Sequence, residues 1–464
     1  MSARLIFDIG KTHAKATVFD REMRCVWHRQ RPSPLCAAPP YPHLDAAGLW
    51  NWMLDAMREA ARCAHIAGIG VSTHGATAAL IDAGAGDGLA LPILDYEYDG
   101  PATLADYARL RPAFDETLSP ELPAGLNLAR QLYWQRECFP DAFARTHRIL
   151  MYPQYWTWRL SGVMVSECTS LGCHTDLWNP RRGDYSSLVG RLGWRTLFPP
   201  LCPAWGSPAA LTPRVARQTG LPADCAVFAG VHDSNAGFAR HLRVADGSPF
   251  VLVSTGTWVV CMAAGRSLDA LQQGRDMLAN VDVNGDPVAC ARFMGGREYA
   301  YICERLGADP AQPVSSDDVR EVVAAGVMAL PDFSGGSGPL GGRAGRILGH
   351  PLHGAALATL YAALMIDYQL AMLDAAGDIV IEGAFLANPL LCQLLAALQD
   401  RPVWLVAEQE SSSVALGAAL LCDWQGAAPE LHRRRCPPCV VDGLPDYRER
   451  WRALVGDGFE APPG

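Results

Sequence analysis

The opening twenty residues constrain the fold more than any other stretch. In LIFDIGKTHAKATVFD, Leu5-Ile6-Phe7 and Ala16-Thr17-Val18-Phe19 are apolar runs of strand length on either side of a polar bend containing Gly10. Asp8 falls where the first strand ends, a position suited to holding a hydrated Mg²⁺. Gly10, Lys11, Thr12 and His13 bring backbone N–H groups, a cationic head and a hydroxyl to one turn, the chemistry that phosphate oxygens need. The turn is not of the longer Walker type, which requires a second glycine before its lysine and a helix after it. An ordinary hairpin also accommodates an Asp and a Gly, so the motif gains meaning only from the rest of the chain.

With 464 residues, the chain is expected to form two domains or three, each with its own core. Half of the residues are hydrophobic and 19% are charged, as in a globular enzyme rather than a disordered protein. A net charge of −9 argues against nucleic acid or an anionic membrane as the main partner. No apolar run approaches the ~20 residues that span a bilayer, and no basic-then-apolar leader precedes the first strand, so the sequence reads as cytoplasmic. Fifteen cysteines are scattered from Cys25 to Cys439. In this setting they read as free thiols, and Cys436-Pro-Pro-Cys439, in a Pro-rich tail without a second close pair, reads as neither a metal nor a redox site.

Two comparable halves are expected, residues 1–240 and 241–464. In the first, a Pro-rich loop (32–42) leads to a helix beginning after Asp45, with Leu49, Trp52, Met53, Ala56, Met57 and Ala60 at helical spacing. IAGIGVS (66–72) is a buried strand ending at Thr73-His74-Gly75, and AVFAGV (226–231) delivers His232-Asp233 at its C-terminal end. The second half begins with another strand pair, Phe250–Val253 and Trp258–Cys261, around Ser254-Thr255-Gly256-Thr257. Further on come a Gly-rich loop (335–345), a long helix over 354–375 with one apolar face, the strand DIVIEGAF, and helices from Pro389 and Ser413. The pattern of strand, small polar turn and strand therefore occurs once at the head of each half.

Four blocks in order, DIGKTHAK, GVHDSNAGFA, STGTWVV, and EGAFLANPLLCQLLAAL followed by VALGAALL, resemble the FGGY family of carbohydrate kinases within the actin/hexokinase-like ATPase superfamily. The STGTW block and the His-Asp pair look most like the L-rhamnulose and L-fuculose kinase branch. The resemblance implies an α/β fold of two ribonuclease-H-like lobes with an active-site cleft between them, the N-terminal lobe holding sugar and base and the C-terminal lobe most of the nucleotide. It implies a sugar substrate, ATP and Mg²⁺ as cofactors, and a homodimer.

Residue by residue, the resemblance puts Asp233 at the proton-acceptor position, Asp8 at the metal, and Gly10, Lys11, Thr12 and His13 on the first phosphate loop. Gly256 and Thr257 fall on the second phosphate loop, and Gly383, Ala384 and Asn388 on the adenosine-binding turn and the following helix. His74, Gly75, Asp95, His232 and Asn280 fall on the sugar side. Read without the family, Asp233 is equally suited to start a helix before Ser234–Phe238, Asn388-Pro389 is a helix start, and Asp95-Tyr96-Glu97 is a solvated loop. One departure concerns Glu382-Gly383-Ala384-Phe385, where most members have a triple-glycine turn: the bulk of Phe385 is expected to narrow the approach of backbone to nucleotide. LNLARQLYW (126–134) also lacks the lysine usual in the family's first central motif. Two rival functions remain open on sequence: a catalytically silent sugar sensor, and a phosphatase or ATPase of the same superfamily.

Overall fold

The computed structural model describes residues 2–350, 352–406, 412–427 and 431–456. It divides into two units, and neither is continuous in sequence. The first comprises residues 1–244, 279–287 and 409–430, the second 245–278, 288–408 and 431–464. A single cut after residue 240 therefore misplaces two segments. One of them carries the helix Ser413–Leu421, whose apolar residues Ala415, Ala418 and Ala419 pack with Ile6, Val231, Ala236 and Ala239 of the first unit. Gly417 allows this packing, since a Cβ there would lie 1.7 Å from the carbonyl oxygen of Ala236.

In the first unit, β1 (Ser2–Ile9), β2 (His13–Phe19) and β3 (Cys25–Pro32) form an antiparallel meander. Helix α1 (Ala46–Cys63) crosses to β4 (His65–Thr73), which lies parallel to β1 on its other side. Asp45 caps α1 by accepting from Gly48 N–H at 2.8 Å, and the six residues expected on its buried face are all buried. The short strands β5 (Ala226–Val227) and β6 (Val231–His232) continue the sheet, each parallel to β4. Helix α2 (Tyr152–Ser161) adds Tyr155 and Trp156 to the core, and α3 (Asp233–Ala245) leaves the end of β6 directly.

The second unit repeats the scheme. Strands β7 (Phe250–Thr255), β8 (Val259–Ala264) and β9 (Pro287–Phe293) form a meander, and β10 (Asp378–Gly383) and β11 (Val403–Val406) follow in parallel on the far side of β7. Meander first, then parallel strands reached through helices, is the ribonuclease-H-like order in both units. Helix α4 (Gly295–Arg305) follows β9, and α5 (Gly354–Met372) precedes β10. At α5 the structure departs from the sequence expectation. The helix is long and apolar enough to cross a membrane, contrary to the reading that no such stretch exists, and it is buried on every side rather than on one face. A helix apolar all round belongs in a core, and 94% of its apolar window is covered by protein. Its single carboxylate, Asp367, is held by Arg448 at 2.6 Å and Arg452 at 2.9 Å.

Candidate active site

Strand register gathers the charged residues of the first unit. Asp8 pairs with Ser72 and Ile9 with Thr73, while His232 also pairs with Thr73, so β1, β4 and β6 end side by side. Their C-terminal ends deliver Asp8, His74 and His232-Asp233 to one edge of the sheet, where a ligand finds side chains and helix starts rather than a closed hydrogen-bond ladder.

Asp8 is buried and accepts from Ser412 Oγ at 3.3 Å. Burial lifts its pKa to about 6 against the pull of Lys15; the charge of Asp233 adds to the lift, and the Ser412 hydroxyl opposes it. The turn after it is closed by Gly10 N–H donating to the His13 carbonyl at 2.9 Å. Thr12 and His13 are exposed, their side chains 3.2 Å apart. Lys11 differs from the sequence expectation of a free phosphate ligand. Its ammonium is bound by Asp95, lies 3.2 Å from Glu97 and rests 4.6 Å over the Tyr96 ring. The acidic segment 95–97 is thus the lysine's cradle rather than a solvated loop.

His74 is packed between Tyr96 and Tyr152, ring centroids 5.3 and 5.1 Å away, with Nδ1 3.0 Å from the Gly75 carbonyl. Burial pushes its pKa below the ordinary histidine value. Gly75 leaves room for the next group, because a Cβ there would sit 2.9 Å from His232 Nε2. His232 is buried, with Nε2 3.2 Å from Asp233 Oδ1, while the Asp233 side chain is 30% exposed. His74, Gly75, Asp95 and His232 therefore form one connected group with Lys11 and Asp233. Asn280 lies in the 279–287 segment of the same unit, buried with its Oδ1 unpartnered among the described residues, and no contact among them ties it to that group.

Sequence reading missed the layer beneath. Glu167 is fully enclosed, its pKa raised by burial to about 7, and it accepts from Thr169 Oγ1 at 2.6 Å. Thr169 Oγ1 in turn accepts the His232 backbone N–H at 3.1 Å. Cys173 Sγ lies 3.5 Å from His232 Nε2, and Asn235 Nδ2 lies 3.1 Å from His232 Nδ1. The dense polar run SECTSLGCHTD (166–176) was the available signal, since so many small hydrogen-bonding side chains between apolar stretches need an internal partner.

The second unit builds its turns from backbone. Gly256 N–H donates to the Trp258 carbonyl at 2.9 Å, and Thr257 is exposed beside it. Thr255 pairs with Gly383 in register, and its hydroxyl links the turns by donating to the Glu382 carbonyl at 2.7 Å and accepting Phe385 N–H at 3.0 Å. Gly383 has φ 92°, and a Cβ there would lie 2.1 Å from the Thr255 carbonyl oxygen. Phe385 does not obstruct this turn as expected. Its ring is buried 5.8 Å from that of Tyr299, while Gly383 and Ala384 stay exposed, so the backbone face remains open although the triple glycine is absent. Asn388 caps α6 (Pro389–Leu398), accepting from Leu391 N–H at 3.2 Å and donating to Thr359 Oγ1 at 3.0 Å.

These features can be set beside known proteins. Residues 113–239 match the N-terminal domain of the FGGY family of carbohydrate kinases, and 247–430 match the carbohydrate kinase FGGY C-terminal domain. The chain is 27% identical to the L-fuculokinase of Escherichia coli (strain K12) over 280 residues, 57% of either chain. It is 28% identical to the L-xylulose/3-keto-L-gulonate kinase of the same strain over 355 residues, 71% of this chain and 66% of that one. It thus spans little more than half the length of the fuculokinase it matches. Among solved structures, a carbohydrate kinase from Novosphingobium aromaticivorans is 37% identical, with TM-score 0.89 over 98% of this chain and 99% of that one. The ADP-bound glycerol kinase of Plasmodium falciparum, 11% identical with TM-score 0.79 over 100% and 99%, shares the fold. With both family domains matched in order and a full-length likeness to a carbohydrate kinase, this chain belongs to the FGGY family of carbohydrate kinases.

Proposed function

We propose that the protein transfers the γ-phosphoryl group of ATP to a hydroxyl of a sugar, with Asp233 as the base. The observation that carries this reading is the convergence of Asp8, His74 and the His232-Asp233 pair at the ends of three adjacent parallel strands. In the reaction the sugar oxygen attacks the γ-phosphorus, the bond from that phosphorus to the β–γ bridging oxygen breaks, ADP leaves, and the sugar's proton passes to Asp233. Asp233 suits the task, since its carboxylate is partly exposed at the start of α3, where the N–H groups of the first turn favour negative charge.

Asp8 fits a hydrated Mg²⁺. A buried carboxylate with one long hydroxyl bond gains from a divalent cation, and Mg²⁺ characteristically takes only one or two carboxylates beside water and phosphate. When bound, the ion neutralises phosphate charge. Lys11, Thr12 and His13, and Thr257, offer N–H groups and hydroxyls to phosphates on turns that the Gly10 and Gly256 N–H groups close, while the open face at Gly383–Ala384, held by Asn388, suits adenosine. His74, Gly75 and Asn280 serve the sugar side, Asp95 anchors Lys11, and His232 stands beside the base. The names of the E. coli relatives, an L-fuculokinase and an L-xylulose/3-keto-L-gulonate kinase, favour L-fuculose or a pentulose as the ketose class, and the family resemblance adds L-rhamnulose and a terminal primary hydroxyl as the acceptor.

The test is coupled ATP turnover over a panel of ketoses, aldoses and polyols, with Asp233→Asn alongside. Turnover should depend on one or a few ketoses. The variant should melt like wild type yet lose at least ~10²-fold in kcat, because an amide accepts no proton at neutral pH. ATP hydrolysis indifferent to every sugar, or near-normal turnover by the variant, overturns the reading.

A further inference from the structure

The contacts around His232 bear on which of its nitrogens carries the proton. Nδ1 lies 3.1 Å from the Asn235 amide nitrogen, three residues along the chain in the first turn of α3. An amide NH₂ can only donate, so Nδ1 is a bare acceptor and the proton of the neutral ring sits on Nε2. Nε2 lies at ion-pair distance from Asp233 Oδ1, 3.2 Å, and has its hydrogen-bond contact with the Cys173 sulfur at 3.5 Å. Oδ1 also accepts the Ser234 backbone N–H at 2.6 Å. The Ser234 hydroxyl also donates to Oδ1, at 3.3 Å, so this one carboxylate oxygen has both Ser234 donors and the His232 ring beside it, while Oδ2 has no hydrogen bond among the described residues.

The amide's orientation has a cost. Asn235 is buried, and its own Oδ1 has no hydrogen-bond partner among the described residues. Turned over, the amide would give its oxygen an Nδ1–H partner, but it would also aim a bare Nε2 lone pair at a carboxylate. The ring is held from other sides too. Its backbone is tied through Thr169 to Glu167, and Gly75 supplies the space Nε2 occupies.

We propose that Asn235 and His232 are positioning residues for Asp233: Asn235 fixes His232 as the Nε2–H tautomer, and His232 holds Oδ1 so that Oδ2 receives the proton of the attacking hydroxyl. The second half of this statement rests on the kinase reading; the tautomer does not. His232 then acts on the base rather than on the sugar, unlike the sequence expectation.

The experiment is nitrogen-15 NMR of the full-length protein labelled at histidine, the His232 signals identified by their loss in His232→Gln. The expected spectrum has an unprotonated Nδ1 and a protonated Nε2; a protonated Nδ1 overturns the proposal. Asn235→Asp, nearly isosteric but acceptor-only, should move a proton onto Nδ1 and lower kcat about 10-fold or more with sugar KM within about 3-fold, as expected when a base is misaligned while the substrate's own binding groups stay in place. Kinetics of His232→Gln against His232→Leu add a second arm, since a glutamine amide can still donate to Oδ1 and should retain more kcat than leucine. Equal kcat in the two, or a loss confined to sugar KM, overturns the positioning role. Should Asp233→Asn stay active, the kinase reading fails instead, and the NMR result stands apart from it.

Discussion

The two strand-turn-strand hairpins, Asp8–His13 in the first unit and Ser254–Trp258 in the second, share their frame and differ in substance. Each turn is closed by a glycine N–H donating at 2.9 Å, Gly10 to His13 and Gly256 to Trp258, and each leading strand has a parallel neighbour. The first turn is surrounded by charge: Asp8 desolvated, Lys11 clasped by Asp95 and Glu97. The second is neutral and tight, with Gly383 against the Thr255 carbonyl and Gly296 against Gly256, where a Cβ would come within 2.3 Å of its oxygen. One fold element thus serves charge management in one unit and close backbone approach in the other, and substitutions should hurt each in its own way.

The largest expected effect falls on the neutral hairpin. Gly383→Ala adds a methyl where the Thr255 carbonyl oxygen is 2.1 Å away, at φ 92°. The strained backbone and the overlap together should destabilise the second unit by roughly 3 kcal/mol. Gly86→Ala, in an open turn with no atom within 4 Å, is the control and should be nearly silent. Denaturant melts compare them, and equal midpoints would refute the close approach.

On the charged hairpin the expected sign reverses. The folded state raises the pKa of Asp8 from 3.8 to about 6, so folded protein binds more protons than unfolded between those values and stability falls as pH rises through the window. Above about pH 6 the full cost, on the order of 2–3 kcal/mol, is in place. Asp8→Asn should therefore melt higher than wild type at pH 7.5, converge with it near pH 4, and turn over more slowly with a greater Mg²⁺ requirement. A variant that melts lower at every pH would show that Asp8 is no burden to the fold.

This contrast was only partly legible in the sequence. Apolar runs of strand length on either side of Gly10 and Gly256 predicted both hairpins, and the spacing of Leu49 to Ala60 predicted the buried face of α1, because such patterns are local. Which groups meet is not local. Lys11 finds Asp95 across 84 positions, and the 409–430 segment joins a unit made otherwise of residues 1–244 and 279–287. Phe385 could be recognised as bulky from its side chain, but the direction it turns depends on Tyr299, 86 positions away by residue number. The Asn235–His232–Asp233 chain lay within four residues, HDSN, yet only the backbone of β6 and α3 shows that the amide meets the ring.

A smaller effect tests whether Lys11 belongs to its own unit. Lys11→Met strands Asp95, whose side chain is 7% exposed, as a nearly buried unpaired charge. Stability should fall by about 1–2 kcal/mol, and Asp95→Asn in the same chain should restore most of it. The double-mutant cycle is read in melts and in ATP titrations. If ATP affinity collapses in Lys11→Met and Asp95→Asn restores nothing, the lysine's chief partner is phosphate rather than the 95–97 segment.

The smallest effect concerns Asn388, where the sequence allowed either a nucleotide contact or a helix start. Its Oδ1 accepts from Leu391 N–H, the cap of α6, and its amide nitrogen reaches Thr359 Oγ1 at 3.0 Å and the Tyr299 hydroxyl at 3.4 Å. Both ends of the side chain are therefore occupied in holding the turn from Gly383 to α6. Asn388→Ala should cost about 1 kcal/mol through the lost cap. Asn388→Asp keeps the capping oxygen and gives up only the donor, so it should recover most of that loss. ADP affinity should move less than about 3-fold in either variant, within about 0.7 kcal/mol, because the open face at Gly383–Ala384 is made of backbone that the cap steadies but does not supply. ADP titration beside thermal melting separates the alternatives: a tenfold loss of ADP affinity in a fully stable Asn388→Asp would mean that the amide nitrogen itself meets the nucleotide, and the neutral hairpin's neighbourhood would then recognise its ligand by side chain as well as by backbone.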